Sequence, residues 1–183
     1  MKISFVTGNK EKFKEVKNIL DVDLEKVSLD LAEIQDFRVE RVVKDKALRA
    51  FKIVKKPLIV EDTGLYIKDF GGFPGALSKW IAKTMGYEKL CRILKGERRA
   101  FAQTVIGYFD GKNYNEFKGK IEGQISSRPA GKTNFGWDNI FIPKGFQKTF
   151  AQLGKEQKNK ISMRKIALQK LKKFLKNKKY DTK

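Results

Sequence analysis

Apolar positions along the chain change their spacing from one segment to the next, and those changes outline the elements. Ile3-Ser4-Phe5-Val6 is a short, mostly apolar run closed by Thr7-Gly8-Asn9, the pattern of a buried strand ending in a turn. Phe13, Val16, Ile19 and Leu20 then recur at helical spacing, and Leu24, Val27 and Leu29 suggest a second strand. Val39, Val42, Val43, Ala47, Ala50, Phe51 and Val54 write a longer amphipathic helix. Lys55-Lys56-Pro57 stops it. Leu58-Ile59-Val60 reads as a buried strand that ends at Glu61-Asp62-Thr63-Gly64.

Gly71-Gly72-Phe73-Pro74-Gly75 requires a loop, and short helices are expected from Ser78 to Leu94. Residues 100–109 and 114–125 predict a hairpin around Asp110-Gly111, with Phe117, Gly119, Ile121, Gly123 and Ile125 alternating along its second arm. A Gly/Pro/Ser-rich loop, 126–134, leads to Phe135-Gly136-Trp137-Asp138 and a short strand over 139–142. The last helix carries Met163, Ile166, Ala167, Leu171, Phe174 and Leu175 on its apolar side. No repeat or long linker divides the chain. Strands mixed with helices predict one α/β domain over residues 1–183 with a mixed sheet, followed from about 176 by a basic tail.

Composition narrows the chemistry. With 183 residues, 40% of them hydrophobic, the chain can build one substantial core. It has no histidine, which excludes Ser-His-Asp triads and histidine-ligated zinc or iron. Cys91 is the single cysteine, so neither an intrachain disulfide nor a CxxC site exists. Carboxylates, Lys, Arg, hydroxyls or a metal held by oxygens must do whatever chemistry there is. No signal peptide is expected at the N-terminus, and no apolar run approaches the ~18 residues of a membrane span. A soluble, cytoplasmic protein is expected. The net charge of +20 points to an anionic partner: nucleic acid, a membrane surface or a phosphate-rich small molecule. Lys-rich surfaces also accompany growth at high temperature.

Four segments could carry chemistry. Thr7-Gly8-Asn9-Lys10-Glu11-Lys12 joins a strand to a helix N-terminus, where free N–H groups and the dipole suit phosphate; the same residues also make an ordinary turn and cap. Glu61-Asp62 is a carboxylate pair that invites Mg²⁺, or else a side-chain-closed turn. Phe135-Gly136-Trp137-Asp138 reads as a stacking platform beside a hydrogen-bond acceptor, or as an aromatic core plug. Lys158 to Arg164 opens the last helix with basic residues that oppose its dipole, a conflict that a bound anion would resolve; Ser162 could cap it. Gly131-Lys132-Thr133 imitates the end of a phosphate loop, but Ser126 stands where its first glycine belongs. Glu33 alone reads as solvent-facing.

Together these segments resemble the inosine triphosphate pyrophosphatase family, also called Ham1-like. The matching runs are F-V-T-G-N-K-E-K at 5–12, L-A-E-I-Q at 31–35, V-E-D-T-G-L at 60–65 and G-G-F-P-G-A-L-S-K-W at 71–80. They continue with P-A-G-K-T-N-F-G-W-D-N-I-F-I-P at 129–143 and K-N-K-I-S-M-R at 158–164. The resemblance implies two lobes around a long mixed sheet flanked by helices, a homodimer, and Mg²⁺-dependent cleavage of ITP, dITP or XTP between the α- and β-phosphates. It implies that Thr7, Gly8, Asn9, Lys12, Lys46 and Lys79, with neighbouring Lys10 and Glu11, hold the triphosphate. Glu33 and Asp62 would hold the metal, Asp62 would orient or deprotonate water, and Thr63 would touch the substrate. Phe135, Gly136, Trp137, Asp138, Lys158, Met163 and Arg164 would surround the base, with Asp138 accepting N1–H and Arg164 donating to the 6-oxygen. Adenine reverses both patterns and would leave buried groups unpaired.

Two positions depart from the family pattern. Met163 stands where the family usually has a histidine that contacts the base, so a relaxed or shifted base preference is the alternative. Gln152 stands where an acid is usual. A nucleic-acid-binding module is the reading from another class, but no RRM, KH or zinc-finger signature supports it. Residues 155–183 hold 12 Lys plus Arg against two acids, half of the net charge, so nucleic-acid attraction is expected to be weak and non-specific.

Overall fold

The computed structural model describes residues 2–132 and 135–180, with side chains through 178. Thr133 and Asn134 of the loop at 126–134, and residues 181–183 of the expected tail, lie outside the described residues. The strands are β1 (Lys2–Val6), β2 (Asp23–Val27), β3 (Leu58–Ile67), β4 (Pro74–Gly75), β5 (Arg99–Phe109), β6 (Tyr114–Ile125) and β7 (Phe141–Pro143). The helices are α1 (Lys10–Ile19), α2 (Val39–Val54), α3 (Ser78–Thr84), α4 (Gly86–Ile93), α5 (Phe150–Ile161) and α6 (Met163–Tyr180). The sheet is mixed and open, in the order β2-β1-β3-β5-β6-β7, with β4 beside β3. β1 runs parallel to β2 and β3; the remaining pairs are antiparallel.

Long strands tie two packing regions together. The first half of β3 and the second half of β5 lie between α2 on one face and α1 with α6 on the other. The opposite ends of these strands pack with α3, α4, α5 and the segment around Trp137 to Phe141. The expected alternation in β6 places Gly119 where α6 crosses: a Cβ there would come within 1.8 Å of Met163 O. The hairpin turn is closed by Asp110, whose Oδ1 accepts from Lys112 N and Asn113 N at 2.9 and 2.8 Å.

Three expectations change. β3 does not end at Glu61-Asp62-Thr63-Gly64 but runs through them to Ile67, because β5 pairs with it over its whole length. A twelve-residue helix, α5, precedes the last one and contains Lys158, so Lys158 lies near a helix C-terminus, where a cation suits the dipole. Residues 176–180 of the expected tail continue α6.

Candidate active site

The strand that stops early is β1, and its stopping opens the site. β1 pairs with β3 only at Leu58 and Ile59, and β4 joins the same edge at Leu65 and Tyr66. Residues 60–64 of β3 therefore have a neighbouring strand on one edge only. Successive side chains leave a strand on opposite faces. Glu61 accordingly meets Lys12 of α1 and Arg164 of α6, while Asp62 shares a cavity with Glu33 and Ser78. Gly64 keeps the far edge of this window tight, since a Cβ there would lie 2.7 Å from Val39 Cγ2 and 2.9 Å from the Gly75 carbonyl carbon.

On the Asp62 side the cavity holds about 100 Å³ and is lined by Glu33, Asp62, Thr63, Ser78 and Lys79, among others. Lys46 Nζ lies 2.6 Å from Glu33 Oε1 and Lys79 Nζ lies 3.0 Å from Oε2. Burial opposes ionisation of Glu33, but the two lysines outweigh it and hold the carboxyl at about 2. Asp62 has no such ammonium bonded to it; its Oδ1 accepts from Thr63 N at 2.8 Å. Burial pushes its carboxyl above the usual range despite the fields of Lys12 and Lys46. Thr63 Oγ1 is tied to Thr104 Oγ1 at 2.9 Å across the strands.

On the Glu61 side a cavity of about 310 Å³ is lined by Glu15, Lys132, Phe135, Asp138, Lys158 and Arg164, with other residues of α1 and α5. Arg164 is only 3% exposed. Its Nε and Nη2 donate to Glu61 at 2.8 and 3.1 Å, and its Nη1 to Glu15 Oε2 at 2.7 Å. Lys12 Nζ adds a contact to Glu61 Oε1 at 3.1 Å. Burial resists the charge on Glu61, yet Arg164 and Lys12 keep its carboxyl well below the usual range. Lys158 donates to Asp138 Oδ2 and lies 4.2 Å from the Phe135 ring centroid. Burial pushes Asp138 up and Lys158 down, each towards its neutral form. Glu15 Oε1 is buried and has no hydrogen-bond partner among the described residues.

Two of the expected site residues, Trp137 and Met163, lie in the core. Trp137 is buried against Phe141 and Phe150 in the core, so within the Phe135–Asp138 run Phe135 and Asp138 alone line the cavity. Gly136 supplies the turn between them with φ +42. Met163 is also in the core, 3% exposed, and does not line the cavity. Thr7 and Asn9 are engaged as turn and cap: Asn9 N donates to Thr7 Oγ1, and Asn9 Oδ1 accepts from Glu11 N and Lys12 N. Gly8 belongs to that turn, and Lys10 is exposed at the first position of α1. Glu11 lines the cavity mouth, ion-paired with Lys155 and Lys14. Glu33, far from solvent-facing, is the partner of both Lys46 and Lys79. Gln152 completes a capping box with Thr149, the work an acid would do there. Ser162 caps α6 by accepting from Lys165 N.

Sequence reasoning left out Glu15, and took Glu61 only as half of a carboxylate pair inviting Mg²⁺, whereas the structure turns it to the opposite face from Asp62 and onto Lys12 and Arg164. Glu15 follows Lys12 by three positions on α1, the spacing of one helix face, and that was the available signal.

Comparison with known proteins comes out uniformly. The sequence model of the Ham1 family matches residues 3–174. A Methanopyrus kandleri protein named dITP/XTP pyrophosphatase is 40% identical, over 97% of this chain and 97% of its own length. A Yarrowia lipolytica protein named inosine triphosphate pyrophosphatase is 41% identical over 96% of each chain. Among solved structures, a HAM1 protein from Coxiella burnetii superposes with a TM-score of 0.86 at 28% identity, covering 97% of this chain and 99% of that one.

Proposed function

The chain belongs to the Ham1 family, and from that premise we propose that it hydrolyses deaminated-purine nucleoside triphosphates (ITP, dITP and XTP) to the monophosphate and pyrophosphate. The observation that carries this reading is that Asp138 and Arg164 line one cavity together with Phe135. An acceptor and a donor set side by side suit the N1–H and 6-oxygen of a keto purine, and the Phe135 ring offers a stacking surface. The triphosphate would extend from there past Lys12 towards Lys46 and Lys79.

Asp62 is the residue to take a proton from water. Its burial raises its basicity above that of a surface carboxylate, and the fields of Lys12 and Lys46 act in the other direction, favouring its charged form. The water oxygen would attack the α-phosphorus, the proton would pass to Asp62, and the bridging oxygen would leave with pyrophosphate. Lys46 and Lys79 now neutralise Glu33; an arriving triphosphate competes for both ammonium groups and would release the carboxylate.

Glu33 and Asp62 face one cavity with a hard-oxygen donor set, which fits Mg²⁺, an ion that takes one or two carboxylates together with phosphates and waters. These two residues would hold it, and the bound ion would neutralise phosphate charge. A nucleotide-pool role places the protein in the cytoplasm; no described helix is long and apolar enough to cross a membrane. The second copy of a homodimer would fit the side where Phe37, Phe73 and Trp80 are each more than 40% exposed around a groove of about 520 Å³. The test is product identity: with ITP and Mg²⁺ the chain should release IMP and pyrophosphate, whereas IDP and orthophosphate would refute the reading.

A further inference from the structure

Glu61 belongs to both halves of the cleft through one oxygen. Its Oε1 lies 3.1 Å from Lys12 Nζ and accepts from Arg164 Nη2 at 3.1 Å, while its Oε2 accepts from Arg164 Nε at 2.8 Å. Lys12 leads towards the phosphates; Arg164 lines the base cavity. Glu61 itself is 4% exposed and does not line that cavity. A counter-ion for Arg164 alone would not require this arrangement, because Glu15 already supplies one at 2.7 Å.

The shared oxygen makes the two cations competitors. When phosphate oxygens draw Lys12 away, Oε1 keeps only Arg164, and in a buried setting the remaining charge-assisted bonds strengthen. Arg164 has five N–H donors, and three are spent on Glu61 and Glu15. The other two can meet a base oxygen only while the guanidinium is held in place. An adenine amino group would oppose donor to donor, displace the guanidinium, and disturb Lys12 through the same carboxylate.

We propose that Glu61 is a positioning residue that couples phosphate capture by Lys12 to base reading by Arg164, so that discrimination between keto and amino purines depends on the phosphate side of the site. This rests on the pyrophosphatase reading above. It assigns Glu61 a role through its neighbours and no contact with the nucleotide.

The test is a double-mutant cycle on a ratio, the kcat/KM for ITP divided by that for ATP, in wild type, Lys12→Gln, Glu61→Gln and the double variant. Loss of phosphate contacts or of general stability scales both nucleotides alike and cancels. The coupling predicts that Glu61→Gln lowers the ratio about tenfold, that Lys12→Gln shifts it at least about fivefold, and that the double variant matches Glu61→Gln alone. Ratios within twofold of wild type in both single variants overturn it, whatever the fall in absolute rate. Lys12 is on the surface side of the pair, with 19% of its side chain exposed. Should Glu61→Gln fail to fold, Lys12→Gln alone decides by the same criterion. A wild-type chain that turns over neither nucleotide overturns the reading beneath the proposal and the coupling with it.

Discussion

The two sides of β3 handle charge differently. Glu33 meets Lys46 and Lys79 in a setting where the carboxylate keeps 27% of its side-chain exposure and Lys79 keeps 49%. Arg164, Glu61 and Glu15 meet where each side chain is at most 10% exposed. Exposed ion pairs are individually worth little, typically ~0.2–1 kcal/mol, and these partly exposed ones, with Lys46 at 19%, lie nearer that limit than the buried cluster does, so their partners are the easier ones to exchange for a substrate. A buried pair is a different object: removing one partner strands the other and costs about 3–5 kcal/mol. The Glu33 side of β3 is thus built from contacts that let go, and the Arg164 side from contacts that hold a shape.

The sharpest way to break this comparison is at Asp62, on the Glu33 side. Asp62→Asn should lower kcat by about 10²–10⁴ while leaving the protein folded, measured by pyrophosphate release and thermal unfolding. The pH argument fixes the sign of the stability effect. The folded-state pKa of Asp62 is raised, so its contribution is favourable below the unfolded pKa and lost as pH rises through the folded one. At pH 7 the amide should therefore be tolerated, and a fall in melting temperature of more than a few degrees would contradict the account.

Next in size, Arg164→Met should destabilise by about 3–5 kcal/mol, because Glu61 and Glu15 would lose their shared guanidinium. Denaturant midpoints measure it. Glu33→Gln should cost under about 1 kcal/mol at pH 7. The wild-type advantage from Glu33 is present above the ordinary glutamate pKa and lost as pH falls towards about 2. Melting curves of the two proteins should therefore converge on acidification. The smallest effect belongs to the cap of α5: Gln152→Ala should cost up to about 1 kcal/mol and leave base choice alone.

The elements that follow one clean period were legible in the sequence. The spacing of Val39 to Val54 became α2, and the two arms about Asp110-Gly111 became β5 and β6. α5 was missed because Gly154, with φ +77, interrupts its helical pattern, although Thr149-x-x-Gln152 had announced its start. At the site, a residue read from its local pattern alone gives no sign of partners far away in the sequence. Glu33 looked solvent-facing because Lys46 and Lys79 lie 13 and 46 positions away. Trp137 and Met163 came with the motifs, but their apolar bulk takes them into the core. Of the net charge of +20 that first pointed to nucleic acid, eight charges rest on α6, which exposes Lys170, Lys173 and Lys176 beyond Arg164.

The claim that the base side holds a shape for keto purines is tested most directly by the specificity constants for ITP, XTP and ATP under identical Mg²⁺. ITP and XTP should each exceed ATP by at least about 100-fold, since adenine would leave buried donors and acceptors unpaired against Arg164 and Asp138. Equal constants for the three nucleotides would contradict it.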